Sequence, residues 1–234
     1  YNSLQASVTK RYSSGLQFLA SYTWSHSIDD FSGGAVNDLT GVIGDTHKNY
    51  FGSSDFDRRH RFVMSFVYDL PKAYRGDIGF PRQVLNNWQL AGVGTWQSGV
   101  PYSIIGNASA FVAVYADFKP GETVGSATKS GDVVARLNSY FNTASFQQPT
   151  GAGWGNVPRN AFVGPGQKNL DLSVVKFFPI HEQQKVEFRS EFFNIFNHTN
   201  FANPVNVLAS AQFGQILTTS TGPRVIQFAL KYSF

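Results

Sequence analysis

The sequence has no cysteine among its 234 residues. This absence excludes disulfide bridges, thiolate metal sites and thiol nucleophiles within these residues. The sequence also has no apolar run near the roughly 18 residues that a membrane-spanning helix needs, because the longest run, residues 110–116, is short. Such a profile does not exclude a transmembrane β-barrel, since alternate residues of each barrel strand are polar.

Motifs that carry catalysis or hold cofactors are absent as well. The histidines are dispersed, without the spacing of metal ligands: His26, His47, His60, His181 and His198. The glycine-rich stretch 151–155 lacks the Lys and Ser/Thr of a phosphate-binding loop, and no Gly-x-Ser-x-Gly elbow occurs. The acid pairs Asp29–Asp30 and Asp55–Asp57 are either a loop cation site or, as we favour, solvated loop acids. The sequence therefore predicts no catalytic residue, no cofactor and no metal, and hence not an enzyme.

Charge is scarce and scattered. Charged residues make up 15% of the chain, and the formal net charge is only +4. Because the basic residues are mostly scattered along the chain, a nucleic-acid partner is not favoured. Aromatic residues also make up 15% of the chain, with Gly 22 and Pro 10. This composition is atypical of disordered chains and fits one sizeable β domain with many turns.

Residues 224–234 alternate without interruption between two kinds of side chain. One set is apolar: Ile226, Phe228, Leu230, Tyr232 and Phe234. The other set is mixed and mostly polar: Val225, Gln227, Ala229, Lys231 and Ser233. Successive side chains of a strand point to opposite faces, and about nine to eleven tilted residues span a bilayer. The segment therefore predicts a transmembrane strand with its apolar face toward lipid.

Similar alternation predicts about seven long strands along the chain, separated by connections that alternate between short and long. Bacterial outer-membrane barrels have short periplasmic turns and long extracellular loops. The predicted fold class is therefore all-β: a portion of an antiparallel transmembrane β-barrel, built as a meander. An open sheet edge is unfavourable in hydrocarbon, so a complete barrel needs further strands. The long segment 99–167 has room for extra strands that the pattern does not place.

The same assignment of strands places aromatic and charged side chains in different parts of the predicted barrel. Six aromatic side chains are predicted at the two membrane interfaces: Trp24, Tyr68, Trp88, Trp96, Phe178 and Tyr232. Four charged residues form a predicted lumenal face: Asp171, Glu187, Arg189 and Glu191. They could contact a plug domain, line a substrate path or pair across strands. On the lipid side, Lys10, Lys176 and Arg224 lie near strand ends where long side chains can snorkel, and Asn194 is an unexplained polar exception.

The densest charge cluster precedes the third predicted strand, at the extracellular rim. It consists of Asp57, Arg58, Arg59, His60 and Arg61. One interpretation is contact with a ligand or with lipopolysaccharide. The other, which we favour, is a set of rim ion pairs that orient the adjoining loop.

Several segments match one known family in their order along the chain. They are Tyr1–Gln5, Ala20–Ser25, Ser54–Phe62, Asn160, Gly164–Gly166, Asn169–Ser173, Glu187–Asn194 and Pro223–Tyr232. Together they resemble the C-terminal barrel region of TonB-dependent outer-membrane receptors. The nearest group is the Oar-like receptors, which carry a carboxypeptidase-regulatory-like N-terminal domain. The resemblance covers essentially the whole chain.

This resemblance implies a barrel of about 22 strands filled by an N-terminal plug, in the outer membrane of a Gram-negative bacterium. It implies energised uptake of a bulky ligand such as a siderophore, cobalamin, a glycan or a peptide, driven by the TonB complex. Phe234 resembles the signal that the barrel assembly machinery reads. We therefore expect residues 1–234 to be the C-terminal part of a longer receptor, with the plug and further strands upstream.

Two other hypotheses stay open on the sequence. The first is a barrel without a plug, acting as a porin or an adhesin. The second is a soluble β-sandwich that binds carbohydrate, with Trp154 and Tyr140 as stacking platforms. The hypotheses differ in what covers the apolar strand faces: hydrocarbon in a membrane, or a second layer of protein in a sandwich.

Overall fold

Seven long strands dominate the structure, a computed structural model that describes residues 1–30, 32, 51–76, 79–108, 113–150, 155–181 and 184–234. They are β1 (Asn2–Ser13), β2 (Leu16–His26), β3 (His60–Asp69), β4 (Trp88–Gln97), β5 (Gln167–His181), β6 (Gln184–Phe193) and β7 (Val225–Ser233). They form one sheet in chain order, and every pairing is antiparallel. We call this sheet the wall. The predictions for His47, Trp154 and most of the glycine-rich stretch fall outside the described residues.

The connections of the wall differ at its two ends. At one end, which we call the turn end, β1, β3 and β5 end, and residues 14–15, 70–87 and 182–183 separate them in sequence from the strands that follow. The second of these segments contains a short helix, α1 (Phe80–Leu85). Ser14 and Gly15 have φ of 53° and 77°, as the two-residue turn of a right-twisted hairpin requires. At the other end, the loop end, β2, β4 and β6 end, and residues 27–59, 98–166 and 194–224 separate them in sequence from β3, β5 and β7. The alternation of shorter and longer connections predicted from the sequence is therefore present.

The register gives the wall two different faces. One row of directly paired residues crosses the sheet as Phe18, Phe66, Gly92, Leu172, Phe192 and Ile226. The adjacent row crosses it as Gln17, Val67, Ala91, Ser173, Glu191 and Gln227. Because strand side chains alternate between faces, we name the first surface the apolar face and the second the polar face.

Within the part of the chain that the structure describes, no layer of protein covers the apolar face of the wall. Phe228 and Leu230 are 66% and 74% exposed there. Among the described residues, the only buried hydrophobic side chain of the wall is Val175, which is paired with Gln89 and Arg189 on the polar face. The soluble β-sandwich hypothesis is therefore wrong, because a sandwich buries its apolar strand faces against a second sheet.

Short elements lie at the loop end, most of them in the described part of the segment 99–167 that the sequence left unplaced. Four short strand pairs lie outside the wall: Ile28–Asp29 with Gly52–Ser53, Pro101–Tyr102 with Phe162–Val163, Ile105–Ala108 with Ala113–Tyr115, and Asp117–Phe118 with Phe146–Gln147. One helix, α2 (Val124–Ala127), and two 3₁₀ turns, Val134–Arg136 and Thr143–Ser145, complete them. The extra strands do not extend the wall.

The described residues of the segments 98–166 and 194–224 pack together around a hydrophobic core, and we call them the loop assembly. Its buried members include Tyr102, Ile104, Phe141, Phe146, Val157, Phe162 and Ile216. The ring of Phe141 lies 5.1–6.1 Å from four other rings: Tyr102, Phe146, Phe162 and Phe213. Backbone hydrogen bonds from Tyr140 to Gly214 and from Ile216 to Leu137, each 2.8 Å, join the two segments. The loop assembly is thus packed like the core of a small water-soluble protein.

Two polar exceptions on the apolar face have local explanations. Lys10 donates to the carbonyls of Ser13 and Leu16 at the turn end, as a snorkelling side chain does. Asn194 lies just beyond β6 with φ of 53°, so it is a loop residue. Its side chain accepts a hydrogen bond from the His198 amide.

Lys176 differs from the snorkelling expectation. It is almost fully buried, and its ammonium donates to the carbonyl of Asn86. The rings of Trp88 and Phe178 cover the ammonium at 5.2 and 5.1 Å.

Within the described residues, no helix is both long and apolar enough to cross a membrane.

Candidate functional site

A groove of about 610 Å³ lies against the polar face and extends from β1 to β6. Each strand from β2 to β6 contributes three consecutive residues to the lining, and the first and third of each three belong to the polar face. The polar lining includes Gln17, Ser65, Asp171, Ser173 and Glu191. Leu19, Val93 and Phe193 also line the groove, and all three are exposed apolar side chains. The groove therefore combines polar with exposed apolar side chains: Leu19 and Val93 lie on either side of Ser65, and Val93 is paired with Asp171. We call Leu19, Val93 and Phe193 the apolar strip.

The predicted lumenal charged residues all lie on this face, but they pair locally. Arg189 lies between two acids of its own strand, 2.6 Å from Glu187 and 3.5 Å from Glu191. Asp171 accepts hydrogen bonds from the Asn194 amide at 2.8 Å and from the Asn169 side chain at 2.9 Å. Asp171 and Glu191 line the groove, so they are the two members of the set that a lumenal occupant would meet there.

The rim cluster is divided between several surfaces. Asp57 is buried, where it accepts from the Ser27 amide and pairs with Arg59 at 3.0 Å. Arg58 donates to the carbonyl of Ser98 at 2.6 Å, which follows β4. These contacts tie the loop before β3 to the ends of β2 and β4.

The remaining two members of the cluster face opposite sides of the wall. His60 is on the apolar face, and its Nδ1 lies 2.8 Å from the hydroxyl of Tyr22. Arg61 is on the polar face, where it lines a smaller groove with Gln5 and Thr23. Alternation along β3 therefore separates residues that are neighbours in sequence.

A buried arginine joins the loop before β3 to the loop assembly. The side chain of Arg159 has no exposed surface, and its guanidinium lies 2.7 Å from Asp29 and 3.6 Å from Asp55. It also donates to Ser32 at 2.7 Å. Next to it, the Asn160 amide donates to Asp55 at 2.6 Å and to the carbonyl of Ser53 at 2.7 Å. The interpretation of Asp29 and Asp55 as solvated acids is wrong, because both pair with Arg159.

This arrangement also determines the electrostatics of Asp29. Burial alone would raise the pKa of this carboxyl, but hydrogen bonds from Arg159, Ser54 and Ser32 outweigh burial and lower the pKa below its ordinary value. The ionised carboxylate is therefore the form that the folded protein stabilises. Within the described ranges, no group of three or more His, Asp or Glu side chains could hold a metal ion.

The six predicted interface aromatics lie on the apolar face. Toward the loop end, Trp24 pairs with Leu4, and Trp96 pairs with Phe62. Toward the turn end lie the other four, Tyr68, Trp88, Phe178 and Tyr232, each in a register position of that face. The ring of Phe234 is exposed and lies 6.1 Å from that of Tyr232. Aromatic side chains thus occur near both ends of one face, as in interfacial belts.

Tyr140, predicted as an exposed stacking platform, is buried in the loop assembly. Its hydroxyl donates to the carbonyl of Val163 at 3.3 Å, and the guanidinium of Arg136 lies 4.5 Å from its ring centroid. Burial raises the pKa of this phenol. The prediction for Tyr140 is wrong, because its ring belongs to the core.

Sequence reasoning missed Arg159 and Asn160 as organising residues. One signal was available: Arg159 is the only charged residue between Arg136 and Lys168. A lone arginine in a long neutral stretch requires a partner if it is buried. Its partners are more than 100 residues away in sequence, so only the fold identifies them.

The sequence model of the family described as outer membrane beta barrel domain matches residues 1–227. Neither a search of curated proteins nor a search of solved structures gave a match.

Proposed function

The chain belongs to the outer membrane beta barrel domain family, and from this premise we propose that it forms the C-terminal part of a TonB-dependent receptor of the Oar-like group. It is an outer-membrane protein of a Gram-negative bacterium, and the family indicates a transport or porin-like role. The proposed activity is energised uptake of a bulky ligand of the siderophore, glycan or peptide class. The motifs shared with these receptors support the finer assignment.

The two edge strands of the wall support the proposal that the complete barrel is larger. β1 pairs only with β2, and β7 pairs only with β6 among the described strands. Both edges carry backbone groups that hydrocarbon cannot satisfy. We propose that upstream strands close the barrel, to about 22 strands in total as in plugged outer-membrane transporters.

One observation favours a plugged receptor over an open porin. The polar face exposes Leu19, Val93 and Phe193 in a groove that a water-filled channel would leave wet. Apolar surface gains from being covered by protein. A plug domain seated against this strip would cover it, and Asp171 and Glu191 would flank the contact.

The loop assembly supports capture of a bulky ligand. A pre-organised core holds its segments in place before any ligand binds, which lowers the ordering cost of binding. In this proposal the loop assembly captures the ligand outside the membrane. The TonB complex, acting through the upstream plug, then opens the path along the polar face. The barrel assembly machinery would read Phe234 during insertion.

The apolar strip gives the test. In full-length protein without other cysteines, Val93→Cys is compared with Val134→Cys, which lies exposed in the loop assembly. Both are labelled with a water-soluble maleimide in proteoliposomes. A plug should slow labelling at position 93 by at least about tenfold, whereas position 134 should react freely.

Equal labelling rates at the two positions would overturn the plug and favour the porin alternative. Conductance in a planar bilayer separates the two independently. A plugged receptor should stay closed, whereas a porin should conduct steadily.

A further inference from the structure

A short helix at the turn end has no protein cover over its apolar side. α1 consists of Phe80, Pro81, Arg82, Gln83, Val84 and Leu85. At about 100° per residue, its four apolar side chains share one arc, and Arg82 and Gln83 occupy the other side. None of its residues is buried, and Phe80, Val84 and Leu85 are 79%, 40% and 48% exposed. This is the amphipathic pattern of a helix that lies at a membrane surface.

The helix is attached to the apolar face of the wall. The indole of Trp88 donates to the carbonyl of Val84 at 2.8 Å, and the carbonyl of Asn86 accepts from Lys176. Trp88 and Lys176 are directly paired across β4 and β5 on that face. The C-terminal end of α1 is therefore continuous with the surface that meets lipid.

A buried asparagine fixes the segments on both sides of α1. The Asn86 amide accepts from the Tyr74 backbone at 2.9 Å and donates to the Tyr74 carbonyl at 2.7 Å. Asn86 itself is almost fully buried. Since its carbonyl also binds Lys176, one residue holds the approach to α1, the end of α1 and the wall together.

We propose that α1 is an anchor in the periplasmic leaflet of the outer membrane, where it binds anionic glycerophospholipid. Insertion removes Phe80, Val84 and Leu85 from water. Arg82 is an exposed cation of α1 itself, and the exposed Arg75 follows Tyr74, whose backbone is hydrogen-bonded to Asn86. Basic side chains at an interface attract anionic headgroups. The proposal rests on the orientation of the wall, with its turn end in the periplasm, and not on a plug or on TonB.

The depth of the helix is the first test. Full-length protein carrying Val84→Cys or Gln83→Cys is labelled with bimane and placed in nanodiscs. These adjacent positions lie about 100° apart around α1, with Val84 inside the apolar arc and Gln83 outside it, so each is the matched control of the other. Bimane at 84 should be quenched by lipid with a nitroxide near the headgroup, and bimane at 83 by aqueous iodide. Equal iodide quenching at both positions would overturn the proposal, because α1 would then lie in water.

The lipid preference is the second test. Bimane at position 84 is titrated with phosphatidylglycerol in phosphatidylcholine nanodiscs, with and without Arg82→Gln. One interfacial cation contributes roughly a fivefold preference, so Arg82→Gln should weaken the apparent affinity by about that factor. Lys119→Gln, an exposed cation of the loop assembly, should change nothing. If Arg82→Gln has no effect, the proposed binding of anionic lipid is wrong. If Arg82→Gln and Lys119→Gln have equal effects, the preference reflects non-specific attraction between charges.

Both tests report on α1 even if the barrel has no plug. Loss of the plug would alter labelling at Val93 and leave the quenching at position 84 unchanged. A second protein seated on α1 would protect position 84 from iodide and from the lipid nitroxide alike, and this outcome would also overturn the proposal.

Discussion

The wall and the loop assembly use hydrophobic side chains in opposite ways. In the wall, Phe228 and Leu230 point outward with most of their surface uncovered. In the loop assembly, Phe141 is almost fully buried against the rings of Tyr102 and Phe213. The same residue types thus serve two solvents, hydrocarbon around the wall and water around the loop assembly.

The two regions also differ in the interactions that hold them together. The wall is a meander in which neighbouring strands pair in register, so its order comes from backbone hydrogen bonds between adjacent segments. The loop assembly joins distant segments through a shared core and through the buried Arg159. Damage to one region should therefore leave the other largely intact, which the following variants test.

The largest difference should come from one change made in both regions. Phe141→Ala removes a ring from the core of the loop assembly, and we expect a loss of about 3–5 kcal/mol in its local stability. Phe228→Ala removes a ring that faces lipid, and should cost much less. Hydrogen exchange at the Tyr140 amide, which donates to Gly214, reports the first effect. Similar losses from both variants would mean that the apolar face of the wall is a protein core.

Within the wall, the cost of a charged substitution should depend on the face that carries it. Phe228→Arg places a charge on the apolar face at mid-depth, which should cost roughly 2–4 kcal/mol and block stable insertion. Gln227→Arg places the same charge on the polar face, where Gln227 is paired with Glu191, and should be tolerated. Heat-modifiable gel mobility of the full-length protein measures the folded fraction. If both variants fail equally, the faces are misassigned.

The contrast explains how much of the fold was predictable from the sequence. Wall strands have a period of two, and a pattern such as Ile226 to Phe234 determines both the strand and its faces. The seven strands and their alternating connections follow from local signals of this kind. The loop assembly has no such period, because its strands are only two to four residues long. Its core depends on contacts between residues such as Tyr102 and Phe213, which no local pattern connects.

The same limit applies to the candidate site. The polar face could be predicted, because Asp171, Glu187 and Glu191 alternate with apolar residues. The pairing of Asp29 and Asp55 with Arg159 could not, since it joins residues on separate loops. The acids were visible in the sequence, and the cation that they bind is a side chain of the chain itself.

Acidification should weaken the loop assembly, through its ion pair with the loop before β3, sooner than it weakens the wall. The pKa of Asp29 lies below its ordinary value of about 3.9, so the folded state favours the carboxylate. Its contribution is fully present above the ordinary value and is lost as pH falls through the lowered folded pKa. Asp29→Asn should cost about 1–3 kcal/mol near neutral pH, as loss of a charge-assisted hydrogen bond does, and should flatten the acid dependence. Limited proteolysis of the loop assembly from pH 7 to 3 measures both, and a wild-type profile as flat as that of Asp29→Asn would contradict the pairing.

Two glycines with nearly the same backbone conformation give the finest comparison of the two regions. Gly15, in the turn of the wall, has φ of 77°, and Gly121, in the loop assembly, has φ of 84°. A side chain costs about 1 kcal/mol at either position, because L-residues disfavour positive φ. An added Cβ at Gly15 would also lie 2.6 Å from the carbonyl oxygen of Asp69, whereas at Gly121 it would meet nothing within 4 Å. Gly15→Ala should therefore lower the urea midpoint of the wall measurably more than Gly121→Ala lowers that of the loop assembly. Equal shifts would mean that backbone conformation alone, and not close strand packing, limits the turn.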